Sequence, residues 1–255
     1  MNFFLDTKLA DRYTSRSQKT RVLTEKWVGN EIFCPNCGNK KLSSYENNKP
    51  VADFYCEKCT EDFELKSKKG KISKIIPAGA YSKMIERINS SVKPNFFFMG
   101  YLESFFVSDF FVVPKYFFIS DIVEKRKPLK KTARRAGWIG ANILFSKIPR
   151  AGQIFYIKNG KEIEKKYILE KWKKTVFLKQ IKKADAKGWI LDIMNCIDLL
   201  NKKEFSLQDI YNFEPDLMVI HPKNKHIKDK IRQQLQFLRD KGYLKFTSQG
   251  KYKLI

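Results

Sequence analysis

Two pairs of cysteines with the spacing of metal ligands lie in the first quarter of the chain. They are Cys34 with Cys37 and Cys56 with Cys59, and 18 residues separate the two C-x-x-C motifs. Two cysteines three positions apart on a tight turn can reach one ion, and four thiolates close the tetrahedral shell of a structural zinc site. The spacing predicts a zinc ribbon over residues 34–59 that holds Zn²⁺ without an open position. Redox-active dithiols are the alternative.

A pattern of carboxylates and a lysine begins inside this ribbon and ends just beyond it. Residues 51–55 are predicted to form one strand and residues 63–66 the next, which brings Asp53 towards Glu64 and Lys66. Alternate residues of a strand share a face, so Glu64 and Lys66 should lie side by side. Two carboxylates can hold Mg²⁺, and a lysine beside them can lie near an attacking water. A charged hairpin edge without catalysis is the alternative.

The charge of the chain indicates what it binds. There are 51 lysines and arginines against 27 aspartates and glutamates, a net charge of +24 over 255 residues. Such an excess attracts polyanions, and nucleic acid is the commonest of them. A protein of the membrane surface or the ribosome, or a general lysine bias of the proteome, would give the same excess.

The elements that must position these residues follow from hydrophobic spacing. Helices are predicted at 15–28 and 78–88, and strands at 95–102, 105–113 and 153–158. This is an α/β pattern. The C-terminal part differs: it predicts a helix at 190–200, a short helix capped by Ser206, a helix at 226–241 that ends before Gly242, and a hairpin over 243–254. Three helices and a two-stranded wing make a winged helix. We place the boundary at 184–187, between domains 1–183 and 187–255.

Two basic segments are candidates for contact with DNA. Residues 124–135 hold seven basic residues against one acid, so Arg134, Arg135 and the following Trp138 are predicted to face DNA. A solvated loop with Trp138 in the core is the alternative. Residues 223–253 hold ten basic residues against two acids, whereas residues 185–216 hold three against seven. The predicted groove-facing residues of this basic half are Lys225, Lys228, Arg232, Gln233, Gln236 and Arg239.

The segments around Asp53 and over 63–68 resemble the active-site core of the PD-(D/E)XK nucleases. The whole chain resembles the DpnI-type methyl-directed restriction endonucleases, on stretches at both of its ends: 17–19, 55–70, 132–140 and 230–236. The resemblance implies a restriction-endonuclease-like α/β domain with an inserted zinc ribbon, followed by a winged helix. It departs at Ala52, which stands where the superfamily has its proline; Pro50 lies three positions before Asp53.

The resemblance also implies an activity. It is type II cleavage of duplex DNA at GATC sites with N6-methyladenine, with Asp53, Glu64 and Lys66 as catalytic residues and Mg²⁺ held by Asp53 and Glu64. A monomer is expected. The alternatives are a nuclease of the same superfamily with another specificity, and a zinc-ribbon and winged-helix regulator without catalysis. The chain shows no signal peptide and no apolar run long enough to span a membrane, so a cytoplasmic location is expected.

Overall fold

The computed structural model of the chain describes residues 1–46, 52–90 and 92–255. These residues form two compact units. The first comprises 1–146 with 151–175, and the second comprises 147–150 with 176–255. Within the described ranges, no helix combines the length and the apolar composition that a membrane span needs.

The first unit contains two β-sheets and the helices α1 (Arg16–Glu31), α2 (Tyr81–Asn89) and α3 (Lys165–Thr175). Its strands are, in chain order, β1 (Ser43–Ser44), β2 (Phe54–Tyr55), β3 (Asp62–Lys69), β4 (Ile75–Ala80), β5 (Asn95–Tyr101), β6 (Val107–Val113), β7 (Val123–Lys125), β8 (Gly140–Leu144), β9 (Ile154–Lys158) and β10 (Lys161–Glu162). Among the described residues, one sheet has the order β1-β2-β3-β5-β6-β9-β10 and the other has the order β4-β8-β7.

The larger sheet is mixed, and its centre is the core of the unit. Strand β3 runs parallel to β5, with Glu64 opposite Phe96, whereas β5 and β6 are antiparallel. Every residue of β5 is buried, and Phe96, Phe97 and Phe98 are at most 1% exposed. The strands predicted at 95–102 and 105–113 are confirmed as β5 and β6. Strand β6 begins two residues later than predicted, because Phe105 takes a left-handed conformation with φ 60°.

Other predicted elements of this unit shift at their ends. The helix predicted at 78–88 begins only at Tyr81, because Ile75–Ala80 pairs with β8 as a strand. The strand predicted at 51–55 is observed only as β2; Pro50 and Val51 lie outside the described residues. Asp53 precedes β2, but its N–H still donates to the Phe63 carbonyl at 3.0 Å, so the hairpin pairing continues through it.

The second unit contains α4 (Ala184–Leu200), β11 (Glu204–Ser206), α5 (Leu207–Tyr211), α6 (Glu214–Ile220), α7 (Ile227–Asp240), β12 (Leu244–Ser248) and β13 (Lys251–Leu254). The predicted cap at Ser206 is confirmed: its Oγ accepts from the Asp209 N–H, and the Asp209 carboxylate accepts from the Ser206 N–H. The predicted terminal hairpin is confirmed too, and β13 lies between β12 and β11. Helix α4 extends six residues further towards the N-terminus than predicted.

Candidate active site

The four cysteines of the predicted ribbon converge on one point. Their sulfur atoms all lie within 4.8 Å of one another, with Cys34 and Cys59 Sγ 3.5 Å apart and Cys37 and Cys56 Sγ 3.5 Å apart. A tetrahedral Zn²⁺ with Zn–S bonds of about 2.3 Å needs sulfur separations of about 3.8 Å. The cluster can therefore bind one metal ion such as zinc. Burial opposes ionisation of the Cys56 thiol. Hydrogen bonds from the Cys59 N–H and from the Cys37 thiol outweigh this effect, and the pKa of Cys56 is lowered to about 7.

The two cysteine turns are built alike. The Gly38 N–H donates to the Cys34 carbonyl at 2.9 Å, and the Thr60 N–H donates to the Cys56 carbonyl at 2.8 Å. Both turns close on a residue with positive φ, 74° at Gly38 and 56° at Thr60. This matches the prediction of paired C-x-x-C knuckles that present two sulfurs each.

The second cysteine turn directly joins β2 to β3. Phe54 pairs with Phe63 and Tyr55 pairs with Asp62 across the antiparallel hairpin. Beyond this pairing, the Asp53 N–H donates to the Phe63 carbonyl, and the Asp53 carboxylate accepts from the Leu65 N–H, next to Glu64. The cysteine cluster therefore closes the end of the hairpin whose other end carries the predicted catalytic carboxylates.

The structure brings Asp53, Glu64 and Lys66 together in one cleft. Lys66 Nζ lies 2.5 Å from Glu64 Oε1, so the two side chains share a face of β3 as predicted. Leu65 lies between Glu64 and Lys66 along the strand, and its N–H donates to Asp53 Oδ2 at 2.6 Å. The cleft has a volume of about 650 Å³, and α1 supplies its opposite wall with Arg16, Ser17, Thr20, Arg21, Thr24 and Glu25.

The electrostatics of this cleft suit a cation. Burial raises the pKa of the Asp53 carboxyl; the negative charge of Glu64 adds to this, and donation from the Leu65 N–H opposes it. Burial disfavours the charged form of a carboxylate, and a divalent ion beside it stabilises that charged form. Among the described residues, Glu64 Oε2 is buried and accepts no aligned hydrogen bond. Asp53 and Glu64 therefore fit the oxygen-rich ligand set that Mg²⁺ requires.

Three further charged residues surround the carboxylates, and sequence reasoning missed them. Arg87 of α2 places Nη2 2.9 Å from Glu64 Oε2, an ion pair without hydrogen-bond alignment. On α1, Arg21 Nε donates to Glu25 Oε1 at 2.8 Å, and burial raises the pKa of Glu25. The i,i+4 spacing of Arg21 and Glu25 is a visible signal for a pair on one helix face. Arg87 has no such signal.

The basic segment that was predicted to face DNA is an ordered loop with an accessible aromatic ring. Trp138 is half-buried and not in the core. The Arg135 guanidinium lies 4.6 Å from the centre of its ring, a cation–π contact. The ring covers Gly140, where a Cβ atom would come within 2.9 Å of it. Arg134 and Arg135 are exposed, and the Gly137 N–H closes the loop on the Leu129 carbonyl.

The predicted groove-facing residues of the second unit lie on the outer side of α7 or just before it. The inner side of α7 packs Ile227, Ile231, Leu235 and Leu238, all at most 3% exposed. All six candidates are exposed: Lys225, Lys228, Arg232, Gln233, Gln236 and Arg239. Arg232 Nη1 donates to the hydroxyl of Tyr211 on α5 at 2.8 Å, and Lys228 Nζ lies 3.3 Å from Oε2 of Glu214 on α6. Two of the six side chains are therefore in contact with neighbouring helices.

Comparison with known families agrees with this arrangement. A model of the Dam-replacing family, DpnI, matches residues 1–181. A model of the Dam-replacing helix-turn-helix domain, the C-terminal domain of the same family, matches residues 185–254. Together the two matches cover nearly the whole chain, with the helix-turn-helix domain at the C-terminal end. The chain belongs to the DpnI-type, Dam-replacing family of methyl-directed DNA endonucleases with a C-terminal helix-turn-helix domain.

Proposed function

We propose that this protein is a type II restriction endonuclease that hydrolyses duplex DNA at GATC sites with N6-methyladenine and depends on Mg²⁺. The observation that carries the proposal is the convergence of Asp53, Glu64 and Lys66 in one cleft. The family match adds methyl-directed cleavage of DNA. We further propose that domain 1–183 has the PD-(D/E)XK fold, that 187–255 is a winged-helix reader, and that the enzyme acts as a monomer.

The chemistry assigned to each residue follows from its surroundings. When bound, Mg²⁺ would stabilise the negative charge that develops on the phosphate and favour hydroxide over water. Asp53 and Glu64 would hold it through their carboxylate oxygens. Lys66, whose ammonium now contacts Glu64 Oε1, would be placed to orient the attacking water or the phosphate. Zn²⁺ in the cysteine cluster would be structural, because four thiolates leave no position for a substrate.

A regulator that binds DNA without cutting it is the main competing function. It needs the cysteine cluster and the winged helix, but it does not need two carboxylates and a lysine in one cleft. Incubation of GATC-methylated plasmid with the zinc-loaded protein separates the two. We expect linear fragments with Mg²⁺, no cutting with excess EDTA, and recovery when Mg²⁺ is restored. Intact plasmid under all three conditions would favour the regulator.

The methyl group is proposed to contact Trp138, whose ring is partly accessible and lies beside a basic loop. Burial of one methyl group against an apolar surface is worth about 0.8 kcal/mol, or about fourfold in preference. Trp138→Ala should therefore lower the ratio of methylated to unmethylated cutting by about fourfold for each methyl group that the ring contacts. The measurement is cleavage of both plasmids at one fixed salt concentration.

Two matched variants sharpen this prediction. Trp138→Phe keeps an aromatic face and should retain most of the preference. Gly140→Ala retains Trp138 but should displace its ring, because the added Cβ would approach the ring to 2.9 Å. It should lower the preference as Trp138→Ala does. An unchanged ratio in Trp138→Ala would place methyl sensing elsewhere, with the outer face of α7 as the next candidate.

A further inference from the structure

The carboxylate of Glu64 is held by two cations from different parts of the fold. Lys66 contacts Oε1 from the same strand, two residues away. Arg87 contacts Oε2 from α2, and its side chain is 27% exposed while that of Glu64 is 17% exposed. Both side chains are partly buried, and salt screens such an ion pair less than one on the surface. The two cations therefore fix the carboxylate from both of its oxygens.

These two cations have different roles under the proposed function. Lys66 is assigned to the water or the phosphate as well as to Glu64, so its ammonium is shared between them. Arg87 reaches Glu64 from another element and has no such duty. Its guanidinium stays charged at every accessible pH, so the ion pair with Glu64 is not lost by deprotonation of Arg87. Arg87 can therefore hold Glu64 in place while Lys66 acts on the water or the phosphate.

Helix α2 is itself anchored, so Arg87 has a fixed support. Met84 and Ile88 of this helix are buried, at 7% and 2% exposed. The helix follows β4 without a loop, and its Tyr81 N–H donates to the Ile139 carbonyl at 3.0 Å. The β4-β8-β7 sheet thus holds α2, and α2 presents Arg87 to the active-site strand.

We propose that Arg87 is a positioning residue that holds Glu64 in the geometry needed to bind the divalent ion. The proposal rests on the proposed function, in which Glu64 is a metal ligand. Residues that orient metal ligands typically contribute 10- to 100-fold to metal affinity or activity. A cation that merely lay near the site would have the opposite effect, because its removal would relieve repulsion and tighten the binding of a divalent ion.

The test measures binding of Mn²⁺ to the zinc-loaded full chain through the electron paramagnetic resonance signal of the free ion. Mn²⁺ favours oxygen ligands and does not compete well for thiolates, so the cysteine cluster does not contribute. Asp53→Asn defines the background. We expect Arg87→Met to weaken the Asp53-dependent binding by about tenfold and Arg87→Lys to have an intermediate effect. Lys83→Ala, on the exposed side of the same helix, should bind as the wild type does.

Two further readouts separate positioning from damage to the fold. The melting temperature and zinc content of Arg87→Lys should equal those of the wild type, which keeps the test valid if Arg87→Met does not fold. In Glu64→Gln, adding Arg87→Met should weaken Mn²⁺ binding no further, because residues that act through one contact are not additive. Equal or tighter binding by both Arg87 variants overturns the proposal. Absence of Asp53-dependent binding in the wild type instead overturns the proposed function.

Discussion

Glu64→Gln and Asp53→Asn should each lower the rate of DNA cleavage at least about 1000-fold, a loss of about 4 kcal/mol of transition-state stabilisation. Each change removes one of the two carboxylates that the cleft offers to a divalent ion while keeping the size of the side chain. Lys66→Met should have a comparable effect, because Lys66 is the ammonium within 2.5 Å of the Glu64 carboxylate. The measurement is single-turnover cleavage of a methylated duplex in Mg²⁺.

Binding of the same duplex should survive these changes. The outer face of α7 and the loop before Trp138 carry the predicted DNA contacts, and neither contains the carboxylates. We therefore expect dissociation constants within about threefold of the wild type, since loss of one acid from a basic surface changes the phosphate attraction little. Glu86→Gln, an exposed acid on α2 that pairs with Lys83, is the matched control and should cut normally. Cutting at the wild-type rate by Glu64→Gln would remove Glu64 from the mechanism.

Loss of the cysteine cluster should have the largest effect on stability. Zinc binding to small four-ligand sites contributes about 10–16 kcal/mol to folding, which is as large as the whole stability of a typical domain. Cys34 is fully buried, so Cys34→Ser leaves both a broken metal site and a buried hydroxyl. We expect the first unit to lose its cooperative thermal transition and its zinc, measured by calorimetry and by native mass spectrometry.

The same change should also abolish cleavage, for a reason that the hairpin makes clear. The cysteine turn at residues 56–60 joins β2 to β3, and that hairpin brings the Asp53 carboxylate to the Leu65 N–H, next to Glu64. Cys196→Ser is the matched control, since Cys196 is buried in α4, outside the cluster, and should leave the zinc content unchanged. A metal-free Cys34→Ser protein that keeps its melting temperature and its cleavage rate would exclude a structural role for zinc.

How far the sequence predicts this site depends on how local each feature is. The cysteine turns and the Glu64–Lys66 pair are encoded within a few residues, so spacing alone predicts their geometry. The period of Ile227, Ile231, Leu235 and Leu238 likewise predicts the buried side of α7, and all four are buried. Helix α3 lies outside any predicted helix, although Ile168, Trp172 and Thr175 carry the same kind of spacing and are all buried.

The features that were missed depend on tertiary contacts. Arg87 is 23 positions beyond Glu64, and in a chain with 51 basic residues no single arginine stands out. Its contact with Glu64 appears only when the fold brings Arg87 of α2 to β3. The apolar spacing of Ala80, Met84 and Ile88 predicts a helix that begins at residue 78, but pairing of Ile75–Ala80 with β8 outweighs that local pattern. The α1 wall of the cleft is missed for a related reason, since amphipathic spacing predicts a helix without predicting which strand it faces.

The cleft at Asp53, Glu64 and Lys66 is proposed to cut DNA at sites that carry N6-methyladenine. The most direct measurement is single-turnover cleavage, in Mg²⁺, of three duplexes that share one GATC site and carry N6-methyladenine on both strands, on one strand or on neither. We predict rapid cutting of the first, slower cutting of the second and by far the slowest cutting of the third. Equal rates on all three duplexes, or cutting that persists in Glu64→Gln, would contradict the claim.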